Sequence, residues 1–162
     1  MDGAQRVDAA QRVAEQLRER GAGGEIRAFP VPMPTAVAAA DQLGCAVGAI
    51  ANSLVFAVDG DPLMVVASGA HRVDTGLVAA LLGVGKRKVR RASPEFVAEA
   101  TGQQVGGVAP VGHPQPLRTL VDVQLKEHEV VWAGGGDTYT MFATDFDELL
   151  RLTDGLAAQV GD

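Results

Sequence analysis

Apolar residues recur along the chain with two different periods, and the switches between them mark its elements. Val7, Ala10, Ala14 and Leu17 follow one another at spacings of three and four. That is the stripe of an amphipathic helix, and it predicts a first helix over about 4–20 that ends near Gly21. Gly23 and Gly24 lead into an extended stretch, 25–29, after which Pro30, Pro32 and Pro34 forbid helix. Thr35 stands where it can cap a second, alanine-rich helix closed by Gly44. Over 52–58 and 63–68 the residues are β-branched, apolar or small, and Asp59-Gly60-Asp61-Pro62 between them carries turn chemistry, which predicts a hairpin. Asp74 then caps a helix whose Leu77, Val78, Leu81 and Leu82 form one apolar stripe before Gly83.

A basic strand follows, and Ser93-Pro94 opens a helix that turns Phe96, Val97 and Ala100 inward and stops at Gly102. The stretch 105–116 holds three glycines and three prolines and is read as a structured loop. Strands are expected over 119–123, 129–133 and 138–142, the last two joined by Gly134-Gly135-Gly136-Asp137. The final helix is placed from Thr144, with Asp147 at the capping-box position and Phe146, Leu149 and Leu150 buried. Strands in adjacent pairs among helices favour an α+β fold on a mixed sheet over a doubly wound parallel sheet. With 162 residues, 47% of them hydrophobic, the chain reads as one domain over 1–162.

Charge narrows the function. A formal net charge of -6 excludes a protein that coats nucleic acid through bulk electrostatics, so DNA is not expected as a partner. Lys86, Arg87, Lys88, Arg90 and Arg91 nevertheless put five cations into six positions. They read either as a solvated strand edge or as a local RNA contact. No apolar run approaches the roughly 20 residues of a membrane span, and Asp2, Gln5, Arg6 and Asp8 make a poor signal peptide, so a soluble, cytoplasmic protein is expected. Cys45 is the only cysteine, which removes both a disulfide framework and a cysteine zinc cluster.

Most catalytic signatures fail. Gly106, Gly107 and Gly112 are followed by His113-Pro114 where a phosphate loop needs lysine and a hydroxyl. His71, His113 and His128 include no HExxH pair, so no metal site is expected. Ser68-Gly69-Ala70-His71 lacks the GxSxG elbow and is read as a surface turn, while Asp145, Asp147 and Glu148 suit the start of a helix. What remains is the loop 106–114, whose glycines allow close backbone approach and whose prolines fix its shape. By composition it is equally a preorganised carbonyl-binding surface and a connection between helix and strand.

The order of motifs decides between them. Ile50-Ala51-Asn52-Ser53-Leu54-Val55-Phe56, then Gly69-Ala70-His71-Arg72-Val73-Asp74, then the basic strand, Ala92-Ser93-Pro94-Glu95 and Val105-Gly106-Gly107-Val108-Ala109-Pro110-Val111-Gly112 occur in succession. Together with 117–122 and 149–153 they resemble the YbaK and prolyl-tRNA synthetase editing-domain family, over about 35–155. The resemblance implies a compact mixed, partly barrel-like sheet surrounded by helices, a cleft for the aminoacylated acceptor end of tRNA, and no metal or organic cofactor. It implies a free-standing trans-editing deacylase that hydrolyses the ester of a mischarged small amino acid, with an aminoacyl-tRNA synthetase as a further partner.

The family's GxxxP pattern falls on Gly106 to Pro110, which places Gly106, Gly107 and Pro110 in the catalytic set with Asn52, and His113 beside them as a candidate base. Ser53, Val108, Ala109, Gly112 and Asp122 are the expected substrate contacts. Arg72, Lys86, Arg87, Lys88, Arg90 and Arg91 are the expected tRNA contacts. One position departs from the pattern. The family commonly carries lysine where this chain has Asn52, which replaces a full positive charge by neutral hydrogen bonds and leaves a binding module without turnover as the alternative.

Overall fold

A computed structural model describes the backbone of residues 3–161 and the side chains of 8–161. The hairpin sits at its centre, β2 (Ile50–Val58) against β3 (Asp61–Ser68). Asp59 and Gly60 form a two-residue turn at φ of 52° and 89°. Both positive angles match the right-handed twist of the flanking strands. Around the hairpin an eight-stranded mixed sheet runs in the order β1, β7, β6, β2, β3, β5, β8. These are β1 (Arg27–Ala28), β5 (Arg118–Asp122), β6 (Val131–Gly134), β7 (Thr140–Thr144) and β8 (Leu156–Ala158). The eighth, β4 (Val89–Arg91), also pairs with β2. The expected α+β class with a mixed sheet is the observed one.

Among the described residues five α-helices cover this sheet: α1 (Gly3–Glu19), α2 (Ala36–Leu43), α3 (Thr75–Leu82), α4 (Pro94–Thr101) and α5 (Phe146–Thr153). No described helix is long and apolar enough to cross a membrane. Thr35, Asp74 and Ser93 cap α2, α3 and α4 by accepting backbone N–H groups, and Gly44, Gly83 and Gly102 end them in the left-handed conformation. Alternation along β2 splits the core. Ala51 and Val55 pack with Val13 and Leu17 of α1 and Leu149 and Leu152 of α5. Phe56 packs on the opposite face with Val78 and Ala79 of α3, where burying a ring of that size contributes about 1.5–3 kcal/mol.

Several local expectations need correction. In α1 the buried positions are Ala9, Val13 and Leu17, with Ala10 and Ala14 only half-buried; the Val7 side chain lies outside the described set. The rotation follows from what α1 meets. A Cβ on Gly112 would fall 2.7 Å from the Val13 side chain and one on Gly136 3.1 Å from the Ala9 carbonyl, so it is the two glycines that make room for this face. In α3 the inward residues are Val78, Ala79 and Leu82, while Leu77 and Leu81 stay exposed. The basic stretch is a 3-10 turn at Lys86–Lys88 followed by a strand of three residues, which pairs with Phe56 to Val58 of β2. The cap of α5 is Asp145, not Thr144, which still pairs with Val131 in the sheet. Glu148, not Asp147, completes that start by accepting the Thr144 hydroxyl at 2.7 Å. The strand β8 carried no periodic signal and forms only by parallel pairing with β5.

Candidate active site

The site begins as a gap in hydrogen bonding. Along one edge of β2, Ile50 and Ala51 pair with β6, and Phe56 to Val58 pair with β4. Between these ladders the edge from Asn52 to Leu54 has no strand beside it, and a cleft of about 1020 Å³ opens there. Asn52 and Ser53 line it, and Ser53 Oγ is buried without a hydrogen-bond partner. A desolvated hydroxyl of this kind costs about 1–3 kcal/mol unless something satisfies it. It marks where a ligand can contribute.

The opposite wall is the loop after α4, and Gln103 organises it. Its fully buried amide accepts the Ala109 N–H at 2.6 Å and donates to the Val111 carbonyl at 3.0 Å. Gly107 locks the loop onto the β6–β7 connection by accepting the Gly136 N–H at 3.1 Å. A Cβ on Gly107 would lie 2.6 Å from Asp137 Cα, so no other residue fits. Gly106 takes φ of 94° and lines the cleft with Val108. Neither the Gly106 nor the Val108 N–H donates a hydrogen bond among the described residues, although Val108 is buried. Two residues with unpaired N–H groups therefore line the same cleft as the open edge of β2.

The cleft is also lined by a histidine that a carboxylate holds. His71 Nδ1 lies 2.9 Å from Asp122 Oδ2. The fully buried Asp122 also accepts the Ser68 N–H at 3.0 Å and the Gln124 N–H at 3.0 Å. The carboxylate thus fixes the tautomer and leaves Nε2 as the ring's other polar atom on the cleft wall. Arg72 and Arg91 line the same cleft, and Arg91 lies over the Phe56 ring at 5.6 Å.

Of the residues singled out in the sequence, Asn52, Ser53, Gly106, Val108, Arg72 and Arg91 meet in this cleft. The others lie elsewhere. Gly107 and Ala109 sit behind the wall and shape it, and Asp122 reaches the cleft only through His71. After Val108 the loop turns away, so Pro110 and His113 face a smaller depression of about 510 Å³ shared with Arg20 and Arg151. There His113 Nε2 lies 2.9 Å from the Ala109 carbonyl oxygen. Burial holds its pKa below the usual value, the Ala109 contact pulls it partly back, and the Arg20 charge adds to the depression. Gly112 donates its N–H to Gln16 of α1. Lys86, Arg87, Lys88 and Arg90 lie outside the cleft, Lys88 beside Asp59 at 3.5 Å. Sequence reasoning missed Gln103 and treated His71 as part of a surface turn, because neither residue shares a regular element with its partners.

Known proteins resemble this chain in sequence and in fold. A family model described as the aminoacyl-tRNA editing domain matches residues 31–152. The uncharacterized protein YwhH of Bacillus subtilis (strain 168) is 32% identical over 113 residues, 69% of this chain and 70% of that one. The crystal structure of a protein proposed as a trans-editing enzyme for prolyl tRNA synthetase superposes with a TM-score of 0.88 at 37% identity, covering 95% of this chain and 97% of that one. The hypothetical protein APE2540 superposes with a TM-score of 0.85 at 30% identity, covering 93% and 99%.

Proposed function

Because the chain belongs to the aminoacyl-tRNA editing domain family, we propose that it is a deacylase acting in trans, which hydrolyses the ester of a mischarged small amino acid on tRNA. The observation that carries this reading is that residues with unpaired donors line one cleft, Gly106 and Val108 of the loop through their N–H groups and Ser53 of β2 through its hydroxyl. An aminoacyl ester is already activated, so it needs positioning and charge stabilisation rather than a strong nucleophile. Water adds to the ester carbonyl, and the C–O bond to the ribose breaks. The departing ribose oxygen takes a proton, and the free amino acid leaves.

In this reading the loop N–H groups receive the carbonyl oxygen as it gains negative charge, where each well-placed donor contributes about 10²–10³ in rate. Asn52 and Ser53 orient the acyl group and its ribose, and Gly107, Ala109, Pro110 and Gly112 hold the loop in shape. Arg72 and Arg91 meet the terminal phosphates, and Lys86, Arg87, Lys88 and Arg90 extend the contact along the acceptor end. His113 stands outside the cleft, so a role as general base is the part of the expectation that its position supports least.

The test is release of amino acid from tRNAs charged with alanine, proline, cysteine and serine, using the wild type, Asn52→Ala and Gly106→Ala. Release from one of them well above the spontaneous rate, reduced by Gly106→Ala, is expected. Asn52 favours the second reading, a module that binds charged tRNA without turnover. Charged tRNA retained intact by the wild type would select it. Replacing Lys86, Arg87, Lys88 and Arg90 by glutamine should weaken tRNA binding and flatten its salt dependence, by about 0.7 in log–log slope for each single-strand phosphate that is no longer neutralised. An unchanged slope would remove these residues from the tRNA surface.

A further inference from the structure

The β6–β7 connection places in the same cleft a carboxylate that the mechanism above leaves unused. Asp137 lines the cleft beside Gly106 and Val108 and keeps only 9% of its surface exposed. One oxygen, Oδ1, accepts the Tyr139 N–H at 2.7 Å and the Thr140 hydroxyl at 3.2 Å, which fixes the group rigidly. The other oxygen has no hydrogen-bond partner among the described residues, and no lysine, arginine or histidine there forms an ion pair with this side chain. That second oxygen is not among the buried unpartnered atoms, so it is accessible. A carboxylate held rigidly at the cleft, with no cation beside it among the described residues, is placed to receive a cationic group from what the cleft binds.

We propose that Asp137 is the counter-charge for the α-ammonium group of the bound aminoacyl ester, so that the site selects esters whose amino group is free. The inference rests on the deacylase reading and adds its recognition element. In an aminoacyl ester the nitrogen is two bonds from the carbonyl carbon, so the groups that hold the carbonyl oxygen and the ammonium must be close and mutually fixed. Here they are fixed by one contact, because the Gly107 backbone packs directly on that of Asp137 and accepts the Gly136 N–H. The Gly106 and Val108 donors therefore move as one body with the carboxylate. Esters with an acylated amine, or with hydroxyl in place of ammonium, lack the charge that Asp137 requires.

The experiment uses the full chain and two matched substrates, alanyl-tRNA and lactyl-tRNA, which differ only in ammonium against hydroxyl. The wild type is expected to favour the alanyl ester by about 30-fold or more in kcat/KM, the scale set by removing one partner of a buried charge pair. Asp137→Asn keeps an oxygen for Tyr139 and Thr140, so it should fold, lose most of that preference and leave lactyl-tRNA turnover unchanged. An equal loss on both esters would reduce Asp137 to a structural residue, and equal wild-type turnover of both would overturn the proposal outright. If the wild type releases neither acid, the deacylase reading fails alone. Binding of the non-hydrolysable 3′-alanylamido and 3′-lactylamido adenosines then decides the matter. A preference for the first that Asp137→Asn abolishes sustains the counter-charge, and equal binding refutes it.

Discussion

Gln103 makes the sharpest demand on the physical account, since one side chain satisfies the turn of the whole cleft loop. It is fully buried, and its Oε1 accepts the Ala109 N–H at 2.6 Å while Nε2 donates to the Val111 carbonyl at 3.0 Å. The further contact to the Gly112 carbonyl, at 3.4 Å, is at the limit of a hydrogen bond and is counted as nothing. In Gln103→Leu the volume stays similar but two buried backbone groups lose their partners. At about 1–3 kcal/mol each, the loss is about 2–6 kcal/mol. Taking about 3 kcal/mol and about 2–4 °C per kcal/mol for a domain of this size, Tm should fall by about 6–12 °C. Gln103→Glu keeps the acceptor for Ala109 but turns a second oxygen toward the Val111 carbonyl. Its loss should be larger at neutral pH and partly relieved in acid, where the protonated group donates again. Urea unfolding followed by circular dichroism measures both variants. A loss below about 1 kcal/mol in the leucine variant would show that the loop holds its shape without this amide.

Ser53→Ala should leave stability unchanged or raise it by up to about 1 kcal/mol, because the hydroxyl has no partner to lose, while amino-acid release from charged tRNA falls. A destabilised Ser53→Ala protein would mean that the hydroxyl serves the fold instead of a ligand. For His113 the sign follows from burial, which holds the folded pKa below the ordinary value of 6.5. Stability is complete above that value and falls as pH drops through it toward the folded pKa, since the unfolded chain binds the proton first, with a slope of at most about 1.4 kcal/mol per pH unit. His113→Gln should flatten Tm against pH between about 7.5 and 5. Parallel curves for the two proteins would show that the imidazole is not held neutral.

The sequence by itself determined the elements whose physics closes within a few residues. Thr35, Asp74 and Ser93 cap helices because each hydroxyl or carboxylate reaches an N–H two or three positions on, and Asp59-Gly60 turns the hairpin because those two residues tolerate positive φ. The loop 106–112 was legible as special for the same reason, its glycines and prolines being statements about local backbone. Asn52, Ser53, Gly106 and Val108 were legible as one group only through the resemblance, since nothing local joins β2 to that loop. Tertiary structure alone decided the rest. Only the rival pairing of β4 and β6 along one edge of β2 opens the cleft, and only the path of α1 over Gly112 and Gly136 turns Ala9 and Val13 inward. His71 meets Asp122 across 51 residues, and Gly107 meets Asp137 across a connection that neither segment encodes. Capping and turn energies are fixed by neighbours in the chain, whereas a carboxylate behind a histidine, or one left without a cation, acquires its meaning only when packing has excluded water and chosen its partners.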